Sequence, residues 1–195
     1  MVILAHGAGG DMHTPFLSAV HEGLAERGYT AVKFNFPYKE AGRRVPDPTP
    51  VLEACYDRVI EALRADRDLG AARIVIGGKS LGGRMASHVA ARGATVAGLL
   101  FLGYPLHPPG KPDKLRVAHL SAIRAPMLFF AGTRDPLCRL DLLRGTLGRL
   151  PVAVTLHVVE GGDHSFVVPK PLQRAPRAVW DEIVTVSGQW LASLA

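Results

Sequence analysis

The run Arg73-Ile74-Val75-Ile76-Gly77 passes into Gly78-Lys79-Ser80-Leu81-Gly82-Gly83-Arg84 and then into Met85-Ala86-Ser87-His88-Val89-Ala90-Ala91. Residues 73–77 are apolar and β-branched, the pattern of a buried strand. Residues 85–91 read as a helix that Gly93 stops. Between them Gly78-Lys79-Ser80-Leu81-Gly82 matches G-x-S-x-G in the strand–turn–helix context that gives this short motif its meaning. So sharp a turn needs glycine at 78 and 82, because a Cβ there would press on neighbouring backbone. This turn, an elbow over 78–82, lifts Ser80 to the start of a helix, where free N–H groups and the helix dipole favour a developing negative charge. Gly83 and Ala86 let that helix lie close to the sheet. Gly78-Lys79-Ser80 also ends like a phosphate-binding loop, but that pattern demands glycine at 73, where the chain has Arg73.

Strand and helix signals alternate on either side. Val2 to Ala5 is a short apolar strand that runs into His6-Gly7-Ala8-Gly9-Gly10. A glycine-rich turn directly after a strand lets backbone N–H groups point into a site. His6, at the strand end, reads as a structural hydrogen-bonding residue. Thr14-Pro15 opens a helix in cap-then-proline order, and Gly28 ends it. Thr30 to Phe36 is the next strand and 37–48 a loop, in which Tyr38, Lys39, Arg43 and Arg44 either touch substrate or form a solvated basic surface. Thr49-Pro50 starts a helix with Val51, Leu52, Cys55, Val59 and Leu63 as its buried face and Gly70 as its close. Beyond the elbow, 96–103 is a strand and 104–125 carries a weak helical pattern around 115–123, with His107 and His119 expected on the surface or beside substrate. A strand at 126–131 leads to Gly132-Thr133-Arg134-Asp135-Pro136, and an alternating strand at 151–159 leads to Gly161-Gly162-Asp163-His164, expected to be a mobile loop. A helix over 178–194 closes the chain, with Trp180 and Trp190 as packing residues.

Alternation from end to end argues for a parallel sheet covered on both faces. Ser80, then Asp135, then His164 is the chain order of an α/β hydrolase. Over nearly its whole length the sequence resembles that superfamily. His6-Gly7-Ala8-Gly9-Gly10 with Gly77-Gly78-Lys79-Ser80-Leu81-Gly82-Gly83-Arg84 most resembles the small, capless dienelactone-hydrolase-like and KANL/Tex-type members. The resemblance implies an α/β fold in one domain over 1–195: a mostly parallel sheet of about six strands with the elbow strand central. The usual N-terminal antiparallel hairpin and the lid are missing from the pattern, so the site is expected to be open. The resemblance further implies Ser80 as nucleophile, His164 as base and Asp135 as the acid that orients it. Asp135 also reads as a cap for the helix that follows it; Asp141 is the weaker acid, and Asp163 a local loop hydrogen-bonder. The implied oxyanion donors are the N–H groups of Ala8, with Gly9 as substitute, and Leu81.

The bulk composition bounds the function. A chain of 195 residues, 48% hydrophobic, buries a sizeable core without staples. Its net charge of +6 comes from scattered arginines with no aromatic-interleaved basic motif, so no nucleic-acid partner is expected. Cys55 and Cys138 cannot make a disulfide framework. No basic leader or long apolar segment appears, so a cytoplasmic protein without a membrane partner is expected. The expected chemistry is serine acyl transfer on a small-molecule acyl substrate, with no metal or organic cofactor, and with activity rising with pH as the base imidazole loses its proton. The alternatives are a thioesterase, peptide hydrolase, acyltransferase or haloperoxidase using the same residues, and a non-catalytic interaction protein on the same fold.

Overall fold

The computed structural model describes residues 1–69 and 73–194. Among them six strands, β1 (Val2–Ala5), β2 (Ala31–Phe34), β3 (Val75–Lys79), β4 (Gly98–Leu102), β5 (Met127–Gly132) and β6 (Val154–Val159), form one sheet in the order β2-β1-β3-β4-β5-β6. Every pair is parallel. The expected architecture and the central elbow strand are both present. The described helices are α1 (Pro15–Ala25), the single turn α2 (Pro37–Glu40), α3 (Thr49–Ala65), α4 (Leu81–Ala91), α5 (Leu140–Leu147) and, after the last strand, α6 (Pro176–Ser193). None of the described helices is long and apolar enough to cross a membrane.

Side-chain alternation divides the interior into two layers. Ile3 and Ala5 of β1, Ile76 of β3, Leu99 and Phe101 of β4 and Phe129 of β5 pack with α3, α4 and α5. Their neighbours Val2, Leu4, Val75, Leu100, Leu102 and Phe130 pack with α1 and α6. Strands buried on both faces are apolar throughout, so β3, β4 and β5 are legible as continuous runs.

Several local expectations are corrected. Helix α3 is turned by one residue: Leu52, Tyr56 and Ile60 are its fully buried positions, while Val51 is 43% exposed and Cys55, Val59 and Leu63 flank the core. Tyr56 decides the rotation, since its buried hydroxyl lies 2.6 Å from the Gly77 carbonyl and 3.1 Å from that of Ile3, and accepts from the Gly77 N–H. Gly70, expected to close the helical segment, lies outside the described residues. Thr14 precedes α1 as expected, but its hydroxyl donates to the Asp11 carbonyl instead of capping the helix. The 37–48 stretch begins with α2 rather than open loop, and Tyr38 is wholly buried; Arg43 and Arg44 are exposed. In 104–125 only a 3₁₀ turn, Ala118–Ala122, forms, and neither histidine is fully exposed, His119 being half-buried. His107 is buried and its Nε2 accepts from the Arg139 N–H; His119 lies against Ser87 of α4 at 2.8 Å. Leu106, Leu120 and Ile123 draw this segment onto the core.

The elbow rests on backbone contact. A Cβ on Gly82 would lie 2.2 Å from the Ala5 carbonyl oxygen, whereas one on Gly145, in α5, would meet nothing within 4 Å. Gly82→Ala is therefore expected to cost at least the ~1–3 kcal/mol usual for overpacking. Gly145→Ala is expected to be neutral or stabilising by about 0.5–1 kcal/mol. Urea midpoints of the two variants check the contrast.

Candidate active site

Ser80 sits at the junction of β3 and α4 with φ 51° and ψ −111°. Such a conformation costs a non-glycine residue on the order of 1–3 kcal/mol and persists only where the surroundings hold it. They do so here: the Ser80 N–H donates to the Leu102 carbonyl of β4 at 3.2 Å, and the Ser80 carbonyl accepts from Arg84 at 3.0 Å in the first turn of α4. Gly78, at φ 146°, lies against the Ala5 carbonyl on the other side.

Two further loops reach Ser80 from the C-terminal ends of β5 and β6. His164 Nε2 lies 2.8 Å from Ser80 Oγ, and His164 Nδ1 lies 2.7 Å from Asp135 Oδ2. The Asp135 side chain is fully buried and acts as acceptor, so Nδ1 carries the proton and Nε2 is free to accept from the serine hydroxyl. The second Asp135 oxygen accepts from the Leu137 N–H at 2.8 Å. Asp135 thus bonds both the imidazole and the turn before α5, but it does not cap that helix, whose N-cap position is Arg139 with no side-chain cap bond. Asp141 is exposed and pairs with Arg139.

The loop after β6 is tied down rather than mobile. Asp163 Oδ1 accepts from the N–H groups of Ser165 (2.7 Å) and Val167 (2.9 Å), the local role expected of it. The Gly162 carbonyl accepts from Arg134 and packs so closely on Gly132 that a Cβ there would lie 2.1 Å from it. The glycines around His164 serve close approach between two loops. Phe166, with φ 60°, is buried under Phe16 of α1.

On the β1 side His6 is buried and neutral, its imidazole pKa lowered by burial. Its Nδ1–H donates to the Gly7 carbonyl at 2.8 Å, and its Nε2 accepts from the Phe36 N–H at 3.1 Å, the structural part expected of it. Gly7 O also accepts from Gly10, and the Ala8 carbonyl accepts from the Tyr38 hydroxyl at 3.0 Å. A trans peptide points its N–H opposite its C=O, so the N–H groups of Ala8 and Gly9 face away from His6 and Tyr38. Burial pushes the Tyr38 phenol up to about 12, so it stays a donor at any physiological pH. Leu81, at the first position of α4, has a backbone N–H with no acceptor inside the helix.

Ser80 and His164 border one cleft of about 520 Å³, lined also by the 7–10 loop, Thr14, Phe16, Lys79, Leu137 and Ser165. Ser80, Asp135, His164 and Ala8 are thus brought together, with Leu81 following Ser80 in the chain. A profile of the alpha/beta hydrolase domain matches residues 1–192. The chain belongs to the alpha/beta hydrolase family. ABHD14B of Pongo abelii, named for a proposed protein-lysine deacylase activity, is 26% identical over 171 residues, spanning 87% of this chain and 77% of its own. Among solved structures, a dienelactone hydrolase from Anabaena variabilis superposes with a TM-score of 0.75 at 20% identity, covering 98% of this chain and 85% of that one. A monoacylglycerol lipase from Paleococcus ferrophilus gives 0.73 at 19%, covering 100% and 94%. These structural likenesses establish the fold.

Sequence reasoning missed the supporting roles of three residues: Tyr38, named only as a substrate contact or part of a basic surface, Tyr56, not singled out, and Lys79, a variable position of the motif. Tyr56 holds β3 immediately before the elbow, and removing its hydroxyl takes away the one proton it gives the Gly77 carbonyl and the oxygen that receives the Gly77 N–H. Tyr56→Phe is expected to cost about 1–3 kcal/mol. A melting temperature lowered by roughly 2–4 °C per kcal/mol would register it.

Proposed function

We propose that the protein is a serine hydrolase that cleaves a small ester or related acyl bond through an acyl-enzyme on Ser80. The observation that carries this reading is the unbroken hydrogen-bond chain Ser80 Oγ–His164–Asp135, set at the floor of the cleft. Ser80 attacks the carbonyl carbon as His164 Nε2 takes its proton, and the buried Asp135 carboxylate stabilises the imidazolium through Nδ1–H. The oxyanion is received by the N–H of Leu81 and that of Ala8, with Gly9 as the alternative donor on the same loop. His164 then protonates the leaving group, and a water molecule repeats the sequence on the acyl-enzyme.

Two features support this reading over a scaffold role. Ser80 is held in a strained conformation, which a surface used only for docking does not need. The nucleophile, base and acid also converge from the ends of three different strands. The cleft is modest and apolar around Phe16 and Leu137, which favours short or medium acyl groups of a small-molecule substrate. The name of the Pongo abelii relative adds an amide, an acylated lysine side chain, to the candidates.

A fluorophosphonate probe is expected to label wild type at Ser80, by peptide mapping, and not Ser80→Ala. His164→Ala is expected to lower kcat by about 10²–10⁴ with its circular dichroism unchanged. Aryl esters, acyl-CoA thioesters and acyl-lysine peptides assayed side by side separate the substrate classes. A well-folded wild type that no probe labels would place the interaction-protein reading first.

A further inference from the structure

Lys79 ends β3 one residue before the nucleophile, and its side chain turns under the loop that follows β6. Its Nζ donates to the backbone carbonyl of His164 at 2.6 Å and lies 5.7 Å from the centre of the Phe166 ring. A Cβ on Gly103, at the end of β4, would come within 3.1 Å of the same nitrogen. The ammonium thus fills a niche made by β4, the 163–167 loop and the elbow. It gives its hydrogen bond to a neutral carbonyl rather than to a carboxylate. An apolar side chain would fill such a niche at lower desolvation cost, so the fold alone gives no reason for a lysine here.

We propose that Lys79 is the positioning residue that couples the two halves of the site: its ammonium, bonded to the His164 carbonyl, fixes the imidazole-bearing loop over Ser80. This rests on the reading of Ser80 and His164 as nucleophile and base. The neighbouring residue carries the nucleophile and the bonded residue carries the base, so one side chain spans the Ser80–His164 hydrogen bond from below. Burial is the main influence on its pKa, lowering it to about 8 against the opposing pull of Asp135 and Asp163. Those two carboxylates and the His164 imidazole are the titratable groups that face it; His6, on the adjoining β1 loop, is engaged with Phe36. Below about pH 8 the lysine is charged and its bond to the carbonyl is charge-assisted; above it the neutral amine holds the loop less firmly.

The test is the rate of fluorophosphonate labelling at Ser80 from pH 6 to 10, in wild type and Lys79→Met, together with amide hydrogen exchange of the 162–168 segment at pH 7. In wild type the labelling rate is expected to fall again above about pH 8. In Lys79→Met the rate is expected to drop tenfold or more, the alkaline fall to vanish, and exchange across 162–168 to quicken. A lysine that merely supports the fold would lower the melting temperature and leave the alkaline limb in place. Wild-type rate and wild-type exchange in a folded Lys79→Met would overturn the proposal. If that variant does not fold, Lys79→Gln is compared in the same way, and wild-type rate and wild-type exchange in it overturn the proposal. Absence of labelling at every pH would instead sink the serine-hydrolase reading, and the exchange comparison would still decide what Lys79 does.

Discussion

Two turns of the chain converge on a single oxygen atom, the carbonyl of Ala5 at the end of β1. A Cβ on Gly78 would lie 2.1 Å from it and one on Gly82 2.2 Å. With no side chain at either position, β3 and the first turn of α4 close down on β1, and Ser80 between them has no relaxed conformation available. The strain at Ser80 is therefore a consequence of how closely three backbone segments pack. The same closeness brings the loop after β1, with Ala8, alongside the serine. Ser80 and the Ala8 loop are placed by one contact.

The remainder of the site is built by tying loops down. The Gly7 and Ala8 carbonyls are drawn back by His6 and Tyr38, the Asp163 carboxylate knots the turn around His164, and Asp135 divides its two oxygens between the imidazole and the turn before α5. Each of these bonds satisfies a polar group that partial burial would otherwise leave costly. They also leave the reacting groups few alternative positions, and preorganisation of this kind is what an acyl-transfer site needs to stabilise charge without reorganising. Lys79 stands apart from this pattern. It is a half-buried cation with a neutral partner, and its cost is intelligible if the bond it makes serves the position of His164.

Residues 104–125 lie where a hydrolase of this family could carry a lid, yet they pack down onto the core through Leu106, Leu120 and Ile123. His107 and His119 look from sequence like reactive or surface groups because nothing local in a histidine announces burial. In the structure His107 receives the Arg139 N–H, and His119 is desolvated against Ser87 and His88, its pKa lowered to about 4. They serve packing, and the cleft stays open above Ser80.

The order of strands and helices and the elbow with Ser80 were readable from the chain alone, because each has a local cause; Asp135 and His164 were singled out through the resemblance to the α/β hydrolases. Apolar β-branched runs make buried strands, and glycine spacing makes the turn. The tertiary structure alone decided which face of α3 is buried, that Tyr38 is a support rather than a substrate contact, that the His164 loop is fastened, and where the amine of Lys79 goes. Each of those depends on a partner from a distant part of the chain, Gly77 for Tyr56, Ala8 for Tyr38, Gly132 for Gly162 and His164 for Lys79. Periodicity and turn chemistry act over a few residues; the direction a long side chain takes is set by what packs across from it.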